Sequence, residues 1–148
     1  MITKKIFIFL LLLTLGSCGY EPIYSKKNDL NILIKDIQLE GDKKLNRKII
    51  SLINLKKNKK GYTLLLKSNK ILKVTSKDKA GNPSTYKTTI NASLSLSEEN
   101  KIIKQKNFSA NFNYNNMENK FNLSQYQKNI ESNLINTITE QIFIFLNS

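Results

Sequence analysis

The sequence predicts an α+β fold, a two-layer sandwich in which two helices pack on one face of a mostly antiparallel sheet of four or five strands. Three patterns predict it: strictly alternating apolar and polar residues in the middle of the chain, an apolar stripe at four-residue spacing near its end, and a shorter helical stripe near its beginning. Two helices can cover one face of such a sheet, which leaves the Asn, Ser and Thr residues of the alternating segments on an exposed face.

The start of the chain has the pattern of a secretory signal. Two lysines precede a ten-residue run, residues 6–15, that is apolar except for one threonine. As a helix this run would cover roughly 15 Å, about half of the ~30 Å hydrocarbon core of a membrane. It is too short to span, so we expect export followed by removal of the segment.

The chain's single cysteine, Cys18, follows a leucine and two small residues at positions 15–17. This pattern resembles a bacterial lipobox, in which the cysteine is acylated, and we predict lipidation of Cys18. Three acyl chains, with each buried methylene contributing roughly 0.8 kcal/mol, would hold the protein at its membrane. Gly19 stands where lipoproteins retained in the inner membrane commonly carry aspartate, which favours the periplasmic face of the outer membrane. A free thiol or an intermolecular disulfide is the alternative use of Cys18.

These signals divide the chain into three parts. We predict a lipoprotein signal peptide at residues 1–17, a lipidated tether at residues 18–29, and a single domain at residues 30–148. The length suits one domain with a modest core.

The charge is strongly basic, with 24 basic and 11 acidic residues and a net charge of +13. All of the basic residues except Arg47 are lysines. Specific recognition of bases and phosphates favours the bidentate arginine fork, and an exported protein does not meet nucleic acid, so we expect no nucleic-acid partner. Two explanations remain open: a compositional bias toward Lys, Asn and Ile, or attraction to anionic lipid or phosphorylated glycolipid.

Catalytic chemistry is poorly supported. The chain has no histidine, and its carboxylates are scattered apart from Asp36, Glu40 and Asp42 around a predicted strand end and the pair Glu98 and Glu99 in a predicted turn. Paired carboxylates act as acid and base only where a cleft shifts their pKa values apart, which an exposed turn does not do. We therefore expect no enzyme activity, no metal and no cofactor.

The first elements are a strand and a helix. Apolar residues alternate within residues 30–40 but change phase, which predicts a bulge near residues 35 and 36. Asp42 is an eligible N-cap for an amphipathic helix at about residues 43–56. The helix is predicted to end in a lysine cluster, with Gly61 providing a left-handed exit. This cluster is either a solvated helix end or a lipid-binding patch.

Four strands are predicted next. "YTLLLKS" and "KILKVTSKDK" form two of them, joined by a polar turn at Asn69, and "GNPS" at residues 81–84 is a strong turn signal. Two longer strands follow as a hairpin through "SEEN", with residues 70–79 pairing on the other side. Their predicted buried faces consist of Tyr86, Thr88, Ile90, Ala92, Leu94 and Leu96 in the first strand and Phe108, Ala110, Phe112 and Tyr114 in the second.

The last predicted element is a long amphipathic helix at about residues 122–146, with Asn122 and Gln125 in the positions of a capping box. The apolar positions that recur every four residues are Tyr126, Ile130, Leu134, Ile138, Ile142 and Leu146. The closing "IFIFL" is five residues long and is predicted to be the end of this core helix.

The chain resembles the LptE family of lipopolysaccharide-assembly lipoproteins. The resemblance covers the lipobox with "CGYEPIY" after it, the first strand and helix, the long hairpin and the closing helix. Its most specific part is "KAGNPSTYKTTINASLSL", where Lys79, Gly81 and Tyr86 match a basic residue, a glycine and a tyrosine of the family.

The resemblance implies a non-enzymatic partner of a membrane protein. Family members sit in the lumen of a large outer-membrane β-barrel that exports lipopolysaccharide, assist its assembly, and bind lipopolysaccharide. Lys79 matches the family's lipopolysaccharide-binding residue at the hairpin turn, and Lys120 is the nearest match to a second one before the last helix. A lysine keeps the charge of an arginine but loses its bidentate grip on phosphate. Two alternatives are another periplasmic lipoprotein that docks to an envelope protein or to peptidoglycan, and a hydrolase for which no residue set is evident.

Overall fold

A five-stranded mixed sheet with two helices forms the fold, and the predicted α+β class is confirmed. The computed structural model describes Leu30, Ile32–Glu99 and Lys101–Ser148. The elements in chain order are β1 (Leu33–Gly41), α1 (Lys43–Ile53), β2 (Lys56–Lys57), β3 (Tyr62–Lys77), β4 (Pro83–Glu98), β5 (Lys101–Asn115) and α2 (Lys120–Asn147). The strands are ordered β2-β1-β3-β4-β5.

The segment β1–α1–β3 is a parallel crossover, since β1 and β3 pair in parallel. The pairing shifts between Ile34 and Asp36, so the predicted bulge is confirmed. Asp42 caps α1, its Oδ1 accepting from the backbone N–H groups of Lys44 and Leu45 at 3.0 Å each. The local signals for this crossover were therefore readable in the sequence.

The end of α1 differs from the prediction. The helix stops at Ile53, and Asn54 provides the left-handed exit with φ 53°, in place of Gly61. Asparagine tolerates this conformation, and the chain then turns back so that Lys56 and Lys57 pair in parallel with Leu33 and Ile34 as β2. The lysine cluster predicted as a helix end is therefore mostly the short edge strand and the loop after it.

A single strand, β3, replaces the two strands predicted around Asn69. Asn69 pairs directly with Asn91 of β4, and Lys70 pairs with Ile90. A turn was predicted at Asn69, but continuous pairing with β4 satisfies the backbone hydrogen bonds there. Lys70 also donates to Glu131 of α2 at 2.6 Å, which lets a lysine stand on the helix side of the sheet.

The helix side of the sheet carries the core. The predicted alternation of β4 is confirmed, because Thr88, Ile90, Ala92, Leu94 and Leu96 are all buried. On β5, Phe108, Ala110 and Tyr114 are buried as predicted, but Phe112 is 46% exposed. An edge strand has a neighbour on one side only, which leaves Phe112 partly uncovered. The apolar core residues contributed by the two helices are Leu45, Ile49, Ile53, Leu123, Ile130, Leu134, Ile135, Ile138, Ile142 and Leu146.

Helix α2 begins earlier than predicted. Asn119 is the N-cap, and its side chain accepts from the backbone N–H of Asn122 at 3.1 Å. Asn122 therefore lies in the first turn, and the capping box predicted from Asn122 and Gln125 is wrong. An earlier asparagine at the right spacing could cap the helix equally well, and the end of β5 places Asn119 at the start.

The turns and helix ends gather at the two opposite ends of the sheet, the hairpin end and the basal end. The hairpin end comprises the β3–β4 turn, residues 78–82, and the β5–α2 connection, residues 116–119, with the adjoining residues of each strand and helix. The basal end comprises Leu30, the β2 region at residues 56–60, the β4–β5 turn near residue 99, and the last turns of α1 and α2. Pairing of Ser97 with Thr63 and Ile102, and of Leu33 with Lys56, brings the basal elements to one end.

Candidate functional site

The structure brings the two predicted lipopolysaccharide-binding lysines to the hairpin end. Lys79 lies in the β3–β4 turn, and Lys120 is the first residue of α2. Pro83, just after the turn, accepts a hydrogen bond at 2.8 Å from Asn116, just before α2. Cys18, the predicted lipidation site, lies outside the described residues.

Asp78 builds the turn that presents Lys79. Its Oδ1 accepts from the backbone N–H groups of Ala80 at 2.9 Å and Asn82 at 2.8 Å, and its Oδ2 accepts from the side chain of Asn82 at 3.3 Å. The backbone N–H of Gly81 donates to the carbonyl of Asp78 at 3.0 Å. Gly81 has φ 85°, which side-chain-bearing residues rarely adopt. The Lys79 backbone is thus held inside a closed, hydrogen-bonded loop.

The hydrogen bonds also determine the state of the Asp78 carboxyl. The backbone N–H of Asn82 is the largest cause that lowers the pKa of Asp78 below its usual value, and burial opposes it. Since its lone pairs are directed at turn N–H groups, the carboxylate serves the turn. Among the described residues Lys79 forms no ion pair, so its ammonium group is available to an external anion.

Asn116 connects the start of β4 to the start of α2 and positions Lys120. Its backbone N–H donates to the carbonyl of Ser84 at 2.8 Å, in addition to the side-chain bond to Pro83. Its Oδ1 accepts from Lys120 Nζ at 3.3 Å, and the carbonyl of Met117 lies 3.5 Å from the same Nζ. The Lys120 side chain is therefore directed back over the β5–α2 connection, toward the strand ends.

Two further lysines face each other on the polar side of the sheet. Lys73 of β3 pairs directly with Lys87 of β4. Side chains directly opposite have Cβ atoms about 4.5–5.5 Å apart, and like charges in this position are destabilising. No carboxylate pairs with either lysine within the described ranges. With Lys77 at the strand end, the hairpin end carries five lysines and the acids Asp78 and Glu118.

Hydroxyl groups lie beside these lysines at the hairpin end. Thr75 and Thr85 are 2.7 Å apart between their Oγ1 atoms, and Ser76 Oγ is 2.8 Å from Thr85 Oγ1. They occur where the β3–β4 pairing shifts around Ser76. A surface of ammonium and hydroxyl groups offers hydrogen-bond donors to the oxygens of an anion such as phosphate.

The helix side of the same end is apolar and incompletely covered. Leu72 and Val74 of β3 are 52% and 46% exposed, because α1 begins level with Ser68 and runs away from them. Next to them, Tyr114 stacks on Tyr86 with ring centroids 5.7 Å apart and meets Tyr126 edge-on at 5.9 Å. The hairpin end is thus amphipathic, with cations at the turn and apolar side chains on the helix side.

The family resemblance singled out Lys79 and Lys120, whereas sequence reasoning did not single out their neighbours Lys73, Lys87 and Asn116. Facing lysines follow from the strand register, which no local pattern specifies. Asn116 had only the weak signal of a turn-prone residue after a strand.

The described residues show little else that suggests another kind of site. No three His, Cys, Asp or Glu side chains in these ranges lie close enough together to hold a metal ion. Neither α1 nor α2, the helices of the described part, is both long and apolar enough to cross a membrane.

Comparison with known proteins finds similar folds. No protein-family model matches the sequence, and the search of curated proteins gives no significant match. The similar solved structures include three lipoproteins. The rare lipoprotein B from Shewanella oneidensis has a TM-score of 0.51 at 14% identity, covering 73% of this chain and 93% of that one. A minor lipoprotein from Acinetobacter baumannii has a TM-score of 0.57 at 10% identity, covering 78% and 90%.

The third structure is lipoprotein B from Nitrosomonas europaea, with a TM-score of 0.59 at 9% identity, covering 77% of this chain and 81% of that one. At these identities the likeness establishes a shared fold. The similarity extends over most of each structure.

Proposed function

We propose that this chain is a lipid-anchored outer-membrane lipoprotein that sits in the lumen of the lipopolysaccharide-export β-barrel, assists its assembly and binds lipopolysaccharide. The observation that carries the proposal is the hairpin end, where a closed turn presents Lys79 among four further lysines. The lipobox-like pattern at Cys18 and the fold shared with three proteins named as lipoproteins support the anchoring.

The chemistry of the hairpin end matches that of a phosphorylated lipid. Lys73, Lys79 and Lys87 form no ion pair with a carboxylate in the described ranges, and phosphate groups would supply the missing negative charge. Phosphate binding would also relieve the repulsion between Lys73 and Lys87, which face each other. Leu72 and Val74, exposed on the helix side, provide apolar contact for acyl chains.

The polar face of the sheet supports the barrel-lumen role. Apart from Lys87 and, at the basal end, Ile102, its side chains on β4 and β5 are neutral amides and hydroxyls, in pairs such as Ser93 with Asn107 and Thr89 with Asn111. No helix of the described part covers this face. The interior of an outer-membrane barrel is itself polar, so such a face can pack there without burying unpaired charge.

Co-purification tests the partner. The chain is tagged at its C-terminus, membranes are solubilised gently, and mass spectrometry identifies what is recovered. We expect a stoichiometric large outer-membrane barrel, and depletion of the chain should remove surface lipopolysaccharide. A normal outer leaflet on depletion, or recovery of an unrelated envelope protein or peptidoglycan, would contradict the barrel role and favour a docking lipoprotein of another kind.

Charge reversal at the turn tests the ligand. Lys79→Asp should weaken lipopolysaccharide binding by the purified protein at low salt while leaving its melting temperature nearly unchanged, because Lys79 is exposed and makes no ion pair in the described ranges. Lys128→Glu, on the exposed surface of α2, makes the same change in net charge and is the matched control. Equal binding by the two variants would exclude a specific role for Lys79.

A further inference from the structure

The basal end combines exposed apolar side chains with lysines. Ile102 and Ile103, at the start of β5, are 58% and 50% exposed, and Ile144, in the last turn of α2, is 68% exposed. Leu33 and Leu52 are also exposed at this end. Ile102 and Ile103, beside the β4–β5 turn, do not contribute to the core, since the core residues of β4 and β5 lie further along the strands. Such a surface indicates an interaction site.

The lysines of the basal end extend over apolar surface. Lys104 Nζ lies 5.5 Å from the ring centroid of Phe145, and Lys106 Nζ lies 5.7 Å from the centroids of both Phe108 and Phe145. Lys101, Lys57, Lys59 and Lys60 are exposed at the same end. Only Glu98 and Glu99 provide negative charge in the described residues of this turn and loop. Lys104 Nζ also donates to the carbonyl of Phe145 at 3.5 Å. Lysines whose apolar stems cover apolar side chains while their charged heads reach solvent are typical of a protein surface at a membrane interface.

The described chain begins at this end. Leu30 is fully buried in the core just before β1, and β1 starts at the basal end. From Cys18 to Leu30 the chain has twelve residues, which reach at most about 43 Å when fully extended. The hairpin end lies a further sixteen-residue strand away, about 50 Å at ~3.3 Å per residue. An anchor at Cys18 therefore limits the basal end to this reach from the bilayer, whereas the hairpin end can lie about 50 Å farther away.

We propose that the basal end rests on the anionic phospholipid surface of the membrane that holds the Cys18 anchor, with Ile102, Ile103 and Ile144 at the headgroup level and the lysines neutralising lipid phosphates. The proposal rests on the anchoring part of the proposed function. It assigns the excess of lysines at this end to the phospholipid and leaves the hairpin end for lipopolysaccharide. Charge complementarity and the starting point of the chain both favour a bilayer as the occupant.

Site-specific fluorescence tests the contact. The acylated protein is reconstituted in phosphatidylcholine vesicles with or without phosphatidylglycerol, and carries Ile103→Cys or Ala80→Cys labelled with an environment-sensitive dye. We expect blue-shifted emission at position 103, quenched by spin-labelled lipid, and water-like emission at position 80 in the hairpin turn. Quenching at 103 should increase with phosphatidylglycerol. Equal, water-like emission at both positions would overturn the proposal, as would quenching at 103 that does not depend on phosphatidylglycerol.

The mass of the N-terminal peptide separates this proposal from the anchoring itself. If Cys18 carries no lipid, the proposed anchoring is wrong, and the mature chain with Cys18→Ser is then added to the same vesicles from solution. Quenching at position 103 would still support the surface, and its absence would overturn it. Cross-linking of position 103 to a barrel protein in native membranes, without lipid quenching, would assign the surface to a protein and also overturn the proposal.

Charge removal provides a second readout. In flotation of the mature Cys18→Ser chain with phosphatidylglycerol vesicles, Lys59→Gln and Lys101→Gln should each weaken binding about fivefold, the effect of one lysine near an anionic surface. Lys128→Gln, on the exposed surface of α2 and away from the basal end, is the control and should leave vesicle binding unchanged. Equal effects of all three variants would show a diffuse charge effect and contradict a basal contact surface.

Discussion

The two halves of β3 carry the same alternation of side chains but meet different surroundings. In the basal half, Leu64 and Leu66 are fully buried beneath α1, whereas in the hairpin half Leu72 and Val74 are about half exposed. The change occurs at Ser68, whose carbonyl accepts from the backbone N–H of Asp42 at 2.9 Å where α1 begins. The same local pattern therefore contributes to the core in one half and to an accessible surface in the other.

This difference separates stability from recognition. Burial of apolar side chains is the main favourable term in folding, so the basal half should contribute most to the free energy of unfolding. The hairpin half leaves lysines and apolar side chains accessible and should tolerate substitution. Three predictions test this division, and each compares a residue of the covered region with a counterpart outside it.

The largest effect is expected from truncating a buried leucine. Leu66→Ala should lower the free energy of unfolding by about 2–5 kcal/mol, because it leaves a cavity under α1. Leu72→Ala, on the same strand and the same side of the sheet, should change it by less than about 0.5 kcal/mol. Urea unfolding of the two variants measures both values. Similar losses would show that the hairpin half is covered in solution.

The next effect concerns two glycines with left-handed backbones. Gly41 and Gly81 have φ 79° and 85°, so alanine strains either position. At Gly41 a Cβ would also lie 2.3 Å from the carbonyl oxygen of Ser68, whereas at Gly81 it would meet nothing within 4 Å. Gly41→Ala should therefore cost more than about 2 kcal/mol and Gly81→Ala about 1 kcal/mol. Thermal unfolding that ranks them in the reverse order would contradict the close β1–β3 contact.

The smallest effect concerns Glu131, at the boundary between the two halves. Its carboxylate joins three elements, with Lys70 of β3 at 2.6 Å and Lys48 of α1 at 3.6 Å. Glu131→Gln should cost about 1 kcal/mol near pH ~7. Glu118→Gln, at an exposed residue without an ion pair in the described ranges, should change stability by less than about 0.5 kcal/mol.

The cost of Glu131→Gln should depend on pH. Burial raises the pKa of Glu131, but the hydrogen bond and charge of Lys70, with a smaller effect of Lys48, outweigh it and hold the pKa below 4.5. When the pKa of a carboxyl group is lower in the folded state than in the unfolded state, the group stabilises the fold at pH values above its unfolded-state pKa. This stability is lost as the pH falls through the folded-state pKa. Urea unfolding from about pH 7 to about pH 3 should therefore show the difference between wild type and variant shrinking only below pH ~4.5. A constant difference would show that the ion pairs do not stabilise the fold.

Much of the fold was readable from local signals. The alternation of β4 needs only a period of two, the bulge in β1 follows from a phase change, and Asp42 is a recognisable cap. The turn between β3 and β4 was predicted from "GNPS", although the predicted strand ran to Lys79, which the structure places in the turn. These features depend on neighbouring residues, so a single sequence contains them.

The errors arose where distant residues decide the outcome. A turn between two strands was predicted at Asn69, but pairing with β4 and the contact of Lys70 with Glu131, 61 residues away, keep the strand continuous. Asn54 and Asn119 compete with nearby Gly61 and Asn122 as helix ends, and the positions of the adjoining strands select between them. The candidate site has the same limit, since Lys73 and Lys87 face each other only through the strand register.

By itself, the sequence determined the α+β class, the polar and apolar faces of the long hairpin, the caps and turns that lie within a few residues of their signals, and the lipobox-like pattern at Cys18. The tertiary structure decided which parts of those faces are covered, which lysines stand together, and that the chain enters at the end opposite the β3–β4 turn. The physical reason is the distance along the chain over which each kind of interaction acts. Backbone preference and periodicity act between neighbours, whereas burial and charge pairing depend on residues that only folding brings together.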